Sequence, residues 1–270
     1  MRQRRQTMRL PAVFLSILFM LTQAAAQAGQ TGAQPSQAAS TGPSHAADEI
    51  GALDKRIKEL SDAKKYEEAA REAQAAVDAA ARLFGEGSKE VSGQLSVLAN
   101  IYLARHDTGK AKKSFARVLE LREKRPGPSE QFEEDALERY TCLVAADGPN
   151  KSDRALSERI SRVFIEDSVL AQGVSLSPDK KELQAGAPVS RPEPTYPAEA
   201  KMTHTSGSAV MLLSVGESGR VTNVIPLDCS SRAFVNAGVS AAYQATFKPT
   251  LVGGKPYKVR TIIFYRWMIF

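Results

Sequence analysis

Ser208-Ala-Val-Met-Leu-Leu-Ser-Val215, then Glu217-Ser-Gly-Arg220, then Val221-Thr-Asn-Val-Ile-Pro-Leu227 is the stretch that decides how the carboxyl-terminal part of this chain folds. Met211, Leu213 and Val215 share one face at the strand period of two. The tetrapeptide around Gly219 is a turn signal and the run after it is rich in β-branched residues, so the two runs are predicted to pair as an antiparallel hairpin. Ser230-Ser231 offers a hydroxyl cap to a helix from Arg232 to about Tyr243. In that helix Phe234, Ala237, Gly238 and Ala241 form a stripe able to cover a sheet. Phe247-Lys-Pro249 stops the helix and Gly253-Gly254-Lys255-Pro256 turns the chain. Tyr257 to Phe270 reads as one long strand, with Tyr257, Val259, Ile263, Tyr265, Trp267 and Ile269 on one face and Lys258, Arg260, Ile262, Phe264 and Arg266 on the other. The expected unit is hairpin, helix, strand: a small α+β domain with a three-stranded sheet.

Upstream of the hairpin, Pro194 and Pro197 flank Thr195-Tyr196 and disfavour helix there, and Ala198-Glu-Ala-Lys-Met202 is long enough for one helical turn. These landmarks, in this order, resemble the C-terminal domain of TonB-type energy transducers. The matching residues are Pro194-Thr-Tyr196-Pro197-Ala198 with Ala200, Gly207 before the first strand, Ser218-Gly219-Arg220-Val221 with Asn223-Val224, Phe247-Lys-Pro249, Gly254-Lys255-Pro256 and the terminal strand. The sequence departs from the pattern at Tyr243-Gln-Ala-Thr246, where an aromatic-rich stretch is usual, and at Cys229. The resemblance implies that a short extended segment of an outer-membrane transporter adds to the sheet along the last strand, near the Tyr-Pro motif. Carried onto this chain, the implied partner-binding residues are Pro194, Tyr196, Pro197, Tyr257, Val259, Thr261, Ile263, Tyr265 and Trp267. For individual side chains among them, a place in the core is the competing reading; the binding expectation concerns backbone.

The middle of the chain repeats with a period of 42: Leu53, Leu95 and Leu137 are so spaced, as are Leu60, Tyr102 and Val144, and Ala69 and Ala111, with Ala155 two residues late. Each unit is an apolar-periodic helix, a polar break (Lys64-Lys65, His106 to Gly109, Asp147 to Asn150) and a second helix opening near the small residue. Such hairpins stack into solenoids. Tyr66-Glu-Glu-Ala69 and Thr108-Gly-Lys-Ala111 with Phe115 resemble tetratricopeptide (TPR) repeats; an ordinary helical bundle is the alternative. The fold class expected for the whole is therefore α+β multidomain, an all-α helical-hairpin repeat (TPR-like) solenoid over residues 48–165 followed by a linker over 166–190 and the TonB-like domain over 191–270.

Met1 to Arg9 is basic, Leu10 to Leu21 is mostly apolar, and Ala24-Ala-Ala26 and Ala26-Gln-Ala28 supply small-x-small peptidase sites, so residues 1–28 read as a secretory signal peptide. Twelve residues containing Pro11 and Ser16 fall short of the ~20 that span hydrocarbon. Residues 29–47, nearly all Ala, Gln, Ser, Thr, Gly and Pro, read as a disordered linker. The net charge of +6 divides into +4 over residues 1–47, −1 over 48–165 and +3 over 166–270, so without the leader the chain is nearly balanced and nucleic acid is not indicated as a partner.

No catalytic constellation is readable. His45, His106 and His204 have no metal-ligand spacing among them, and neither a G-x-S-x-G element nor a phosphate loop is present. No cofactor is expected. Cys142 reads as a small apolar side chain on a helix and Cys229 as a loop thiol; because they sit in separate modules, no bond between them is expected. The expected protein is thus a non-enzymatic periplasmic binding protein whose partner is a transporter peptide or another envelope protein. A homodimer through the C-terminal edge strand is a second use of the same edge. A true energy transducer in the inner membrane is the alternative, and it, like any membrane contact, requires that the leader be retained.

Overall fold

The computed structural model describes residues 43–146, 151–227 and 229–269, and among them the chain forms eight helices and eight strands. The expected signal peptide, most of the linker and the polar break at 147–150 lie outside these residues. The described residues divide into two compact units, one ending at Arg105 and the other beginning at His106.

In the first unit, α1 (Pro43–Asp62), α2 (Tyr66–Phe84) and α3 (Lys89–Ala104) follow one another with short turns. Helix α1 begins at Pro43, ahead of Ala47, where the linker was expected to end. Lys64 takes a positive φ of 58° where the sequence places a polar break. Helix α2 buries Ala69, Ala73, Ala76 and Ala80, small side chains that let neighbouring helices approach closely, and Glu67 and Glu68 in its first turn with Arg82 in its last complement the helix dipole. Ser88 caps α3 by accepting a hydrogen bond from the Val91 N–H at 3.3 Å. The buried stripe of α1 contains Ile50, Ile57 and, between them, Asp54.

The second unit opens with α4 (Thr108–Lys124), capped by Asp107, whose carboxylate accepts from the Lys110 N–H at 3.1 Å; α5 (Gln131–Ala146) and α6 (Lys151–Leu170) follow. Helices α4 and α6 are joined by a buried charge network. Arg122 Nη2 donates to Asp167 Oδ1 at 2.5 Å, Arg122 Nε donates to Ser129 Oγ at 2.6 Å, and the Ser129 N–H donates to the same Asp167 oxygen at 2.9 Å. At the start of α5, Glu133 accepts both Arg125 nitrogens and the Glu130 N–H.

Beyond α6 come β1 (Leu183–Gln184), β2 (Pro188–Ser190), α7 (Ala198–Met202), β3 (Gly207–Val215), β4 (Val221–Pro226), α8 (Arg232–Gln244), β5 (Thr246–Phe247), β6 (Thr250–Val252), β7 (Lys255–Tyr257) and β8 (Val259–Trp267). The principal sheet has the order β4-β3-β8, antiparallel throughout, with Gly207 opposite Trp267 and Val215 opposite Val259. Two small sheets, β1-β6-β7 and β2-β5, lie outside it. The expected hairpin, helix and strand are all present, and the chain is α+β as read from the sequence.

Both faces of the principal sheet are buried. On one, Met211, Leu213, Val224, Ile263, Tyr265 and Trp267 pack with Phe234, Ala241 and Ala242 of α8. On the other, Val210, Leu212, Leu227 and Ile262 pack with Leu119 of α4, Leu137 of α5 and Ile160, Val163 and Phe164 of α6. Helix α8 lies so close that a Cβ on Gly238 would stand 2.5 Å from Met211 Cε.

The boundary between the two compact units falls at Arg105; the last helical hairpin shares a core with the sheet, and α6 continues to Leu170. Three expectations need correction. The terminal strand is broken at Lys258: Gly253 and Gly254, at φ 56° and 83°, make a two-residue turn that pairs β7 with β6, so only Val259 onward joins β3. The hydroxyl of Ser230 does not cap α8 but bonds both the N–H and C=O of Val210, at 2.9 and 3.1 Å, and Ser231 at the cap position makes no side-chain cap bond. Finally, Cys142 of α5 and Cys229 are joined in a disulfide, with Cα atoms 5.5 Å apart. The reason is the shared core: docking of the hairpin on the sheet brings α5 to the loop that follows β4.

Candidate functional site: the outer edge of the last strand

In an antiparallel ladder alternate residues turn both main-chain groups to the same neighbour. The Val210 C=O accepts from the Leu227 N–H at 2.8 Å, so even-numbered residues of β3 face β4 and odd-numbered ones face β8. The register then pairs Val215, Leu213, Met211, Ala209 and Gly207 with Val259, Thr261, Ile263, Tyr265 and Trp267. The outward-facing groups of β8 belong to Arg260, Ile262, Phe264 and Arg266.

These outward groups meet side chains instead of another strand. Ser161 and Ser168, two turns apart on one face of α6, accept from the N–H of Ile262 at 3.5 Å and of Arg260 at 2.9 Å. Gln172, just past α6, donates to the Lys258 C=O at 2.7 Å, and the Arg191 guanidinium donates to the Phe264 C=O. Helix α6 therefore lies along the edge. Two arginines of β8 reach the same hairpin: Arg260 makes a two-point ion pair with Glu134, which raises its pKa, and Arg266 donates to the Ala145 C=O at 2.9 Å near the end of α5.

Of the residues named from the sequence, Val259, Ile263, Tyr265 and Trp267 are buried apolar side chains, Thr261 is buried, and Tyr257 is partly buried and belongs to β7. Their parity is the inner one for Val259 through Trp267, so their backbones are engaged with β3. Tyr265 lies beneath the Arg191 guanidinium, 5.5 Å from ring centre to Cζ, and its buried hydroxyl has no hydrogen-bond partner among the described residues; burial raises its pKa and Arg191 opposes the rise. The Tyr-Pro motif is brought to the end of β8. Trp267 Nε1 donates to the Thr195 C=O at 3.1 Å, and Tyr196 stands edge-on to Phe234 at 5.8 Å with its hydroxyl donating to the Thr205 C=O at 2.8 Å. Pro194 is partly buried, and Pro197 occupies the N-cap of α7.

The residues that the sequence reading missed are the edge partners Ser161, Ser168, Gln172 and Arg191. One signal was available: Val210 and Leu212 alternate with Met211 and Leu213, and a strand apolar on both parities belongs to a sheet covered on both faces. Among the described residues no group of three or more His, Cys, Asp or Glu is placed to hold a metal ion, and no helix is long and apolar enough to cross a membrane.

No curated protein matches the chain. Residues 192–269, which hold the Tyr-Pro motif, the whole principal sheet and α8, match the family model described as Gram-negative bacterial TonB protein C-terminal, and this carboxyl-terminal segment is accordingly a TonB-type domain.

Proposed function

We propose that this is an exported envelope protein, working in the periplasm, whose TonB-type domain captures an extended peptide of an outer-membrane transporter or another envelope protein by strand addition along β8. The observation that carries the reading is the contrast between the two sheet edges. Strand β8 is nine residues long, free of proline and paired to β3 without a register shift. Strand β4 has six residues, a register shift between Ser214 and Val215, and Pro226 at its end. Short length, bulges, proline and a covering helix are means by which proteins blunt an edge. Strand β4 carries the first three; β8 is covered by α6 but keeps in its own backbone a regular row of main-chain donors and acceptors, the chemistry that recognises an extended chain.

The test is amide exchange with a nine-residue peptide, the length of β8, selected from a random display library against the intact chain in either thiol state. Binding is expected to protect the N–H groups of Phe264 and Arg266. Protection confined to β4, or to the first three helices, sinks the assignment to β8. Sequencing the mature amino terminus separates this reading from a membrane-anchored energy transducer: a chain starting near Gln27 or Gly29 has no anchor at residues 10–21.

A further inference from the structure

The edge best suited to pairing is the one this chain covers with its own helix, and the cover is tied down by a covalent bond. We infer that the α5–α6 hairpin is an intramolecular clasp over β8, locked by the Cys142–Cys229 disulfide, and that a dithiol reductant unlocks it for an extended peptide. The inference rests on the strand-addition reading above.

The observations converge on one hairpin. Ser161, Ser168 and Gln172 occupy main-chain groups that an incoming strand would need. Glu134 and the Ala145 C=O hold Arg260 and Arg266, whose backbones face outward on the same edge. Phe164, Ile160 and Val163 share one buried core with Ile262. All of these contacts are non-covalent and exchange at equilibrium; the disulfide does not. While it stands, α5 stays beside the loop after β4 even when the other contacts break, so the clasp closes again before a peptide can compete. Clasp and peptide seek the same groups, and an edge that is open only a fraction of the time binds with an affinity reduced by that fraction.

The chemistry balances with a dithiol reductant. Cys229 is the exposed partner and Cys142 is partly buried. A reductant thiolate attacks Cys229 Sγ, forms a mixed disulfide there and expels Cys142 as a thiolate. The reductant's second thiol displaces Cys229, so two electrons and two protons pass to the cysteine pair and the reductant leaves as its own disulfide.

The experiment compares the oxidised full chain, the chain reduced with dithiothreitol, and Cys142→Ser/Cys229→Ser, with a nine-residue peptide selected from a random library against the double variant. Binding at least about tenfold tighter to the reduced chain and the double variant than to the oxidised chain is expected, within the usual span of intramolecular coupling. Faster amide exchange at Arg260 and Ile262 on reduction should accompany it. Equal affinities, or exchange at those two amides indifferent to thiol state, overturn the clasp and leave peptide capture standing. Faster exchange with no selected peptide bound overturns peptide capture, and with it the role assigned to the clasp. If loss of the bridge unfolds the sheet, as near-ultraviolet circular dichroism would report, Ser161→Ala/Ser168→Ala keeps the bridge and removes both acceptors. Exchange at Arg260 and Ile262 should then rise with the fold intact, and unchanged exchange counts against the clasp.

Discussion

Arg260 on β8 and Glu134 on α5 meet as a two-point ion pair, with Nη1 3.0 Å from Oε2 and Nη2 2.7 Å from Oε1. The guanidinium also lies 5.5 Å from the centre of the Phe164 ring, so one side chain of the sheet touches both helices of the hairpin.

Arg260→Lys should lower stability by about 1 kcal/mol, a figure kept small because the pair is partly solvated and screened. A lysine keeps the charge but loses the planar two-point geometry. Thermal unfolding at low and high salt checks this: the difference between parent and variant should shrink as salt rises.

Arg122→Met should cost about 3–5 kcal/mol, because it leaves the Asp167 carboxylate buried without its counter-charge. Arg122 and Asp167 are 1% and 4% exposed, and Asp167 Oδ2 already has no partner among the described residues. Adding Asp167→Asn to the variant should recover part of the loss in denaturant unfolding. A double variant no more stable than the single would show that the cost is lost packing around the arginine stem.

Tyr265→Phe should leave stability unchanged or raise it by up to about 1 kcal/mol, since it removes a hydroxyl that is buried without a partner among the described residues. A clear loss of stability in urea titration would mean that the hydroxyl has a partner in solution.

Asp54 supplies a pH dependence. Burial raises its pKa above the ordinary carboxylate range, and a hydrogen bond from Gln94 opposes the rise. Between the unfolded and the folded value the folded chain holds the extra proton. Stability contributed here is therefore present at low pH and lost as pH climbs through that interval. Asp54→Asn should flatten this slope and unfold at a higher temperature than the parent at neutral pH. Melting curves across acidic to neutral pH decide it, and a slope unchanged by the substitution removes Asp54 as its source.

Much of this was legible beforehand, for local reasons. The turn at Gly219, the alternation through Met211 and Leu213 and the helical stripe from Phe234 to Ala241 are short-range patterns, and each produced the expected element. The break at Lys258 was less visible, because a β-branched and aromatic run looks continuous until the Gly253-Gly254 turn commits its first residues to β6. The candidate site residues from Val259 to Trp267 stand on the parity that faces β3. Alternation in a sequence tells which side chains share a face, but not which main-chain groups point to a neighbouring strand.

By itself, then, the sequence determined the β3-β4 hairpin, the helix that follows it, the helical character of the middle of the chain and the TonB-type pattern from Pro194 onward, since each depends on residues near one another along the chain. Only the tertiary structure decided what covers the outer side of β8 and that Cys142 meets Cys229. Those facts depend on how the helices between Thr108 and Leu170 dock against a sheet that begins at Gly207. Docking is settled by the fit of Ile160, Val163 and Phe164 against Val210, Leu212 and Ile262, and by the reach of Glu134 to Arg260. Contacts so distant in the chain leave no periodicity in the sequence to read.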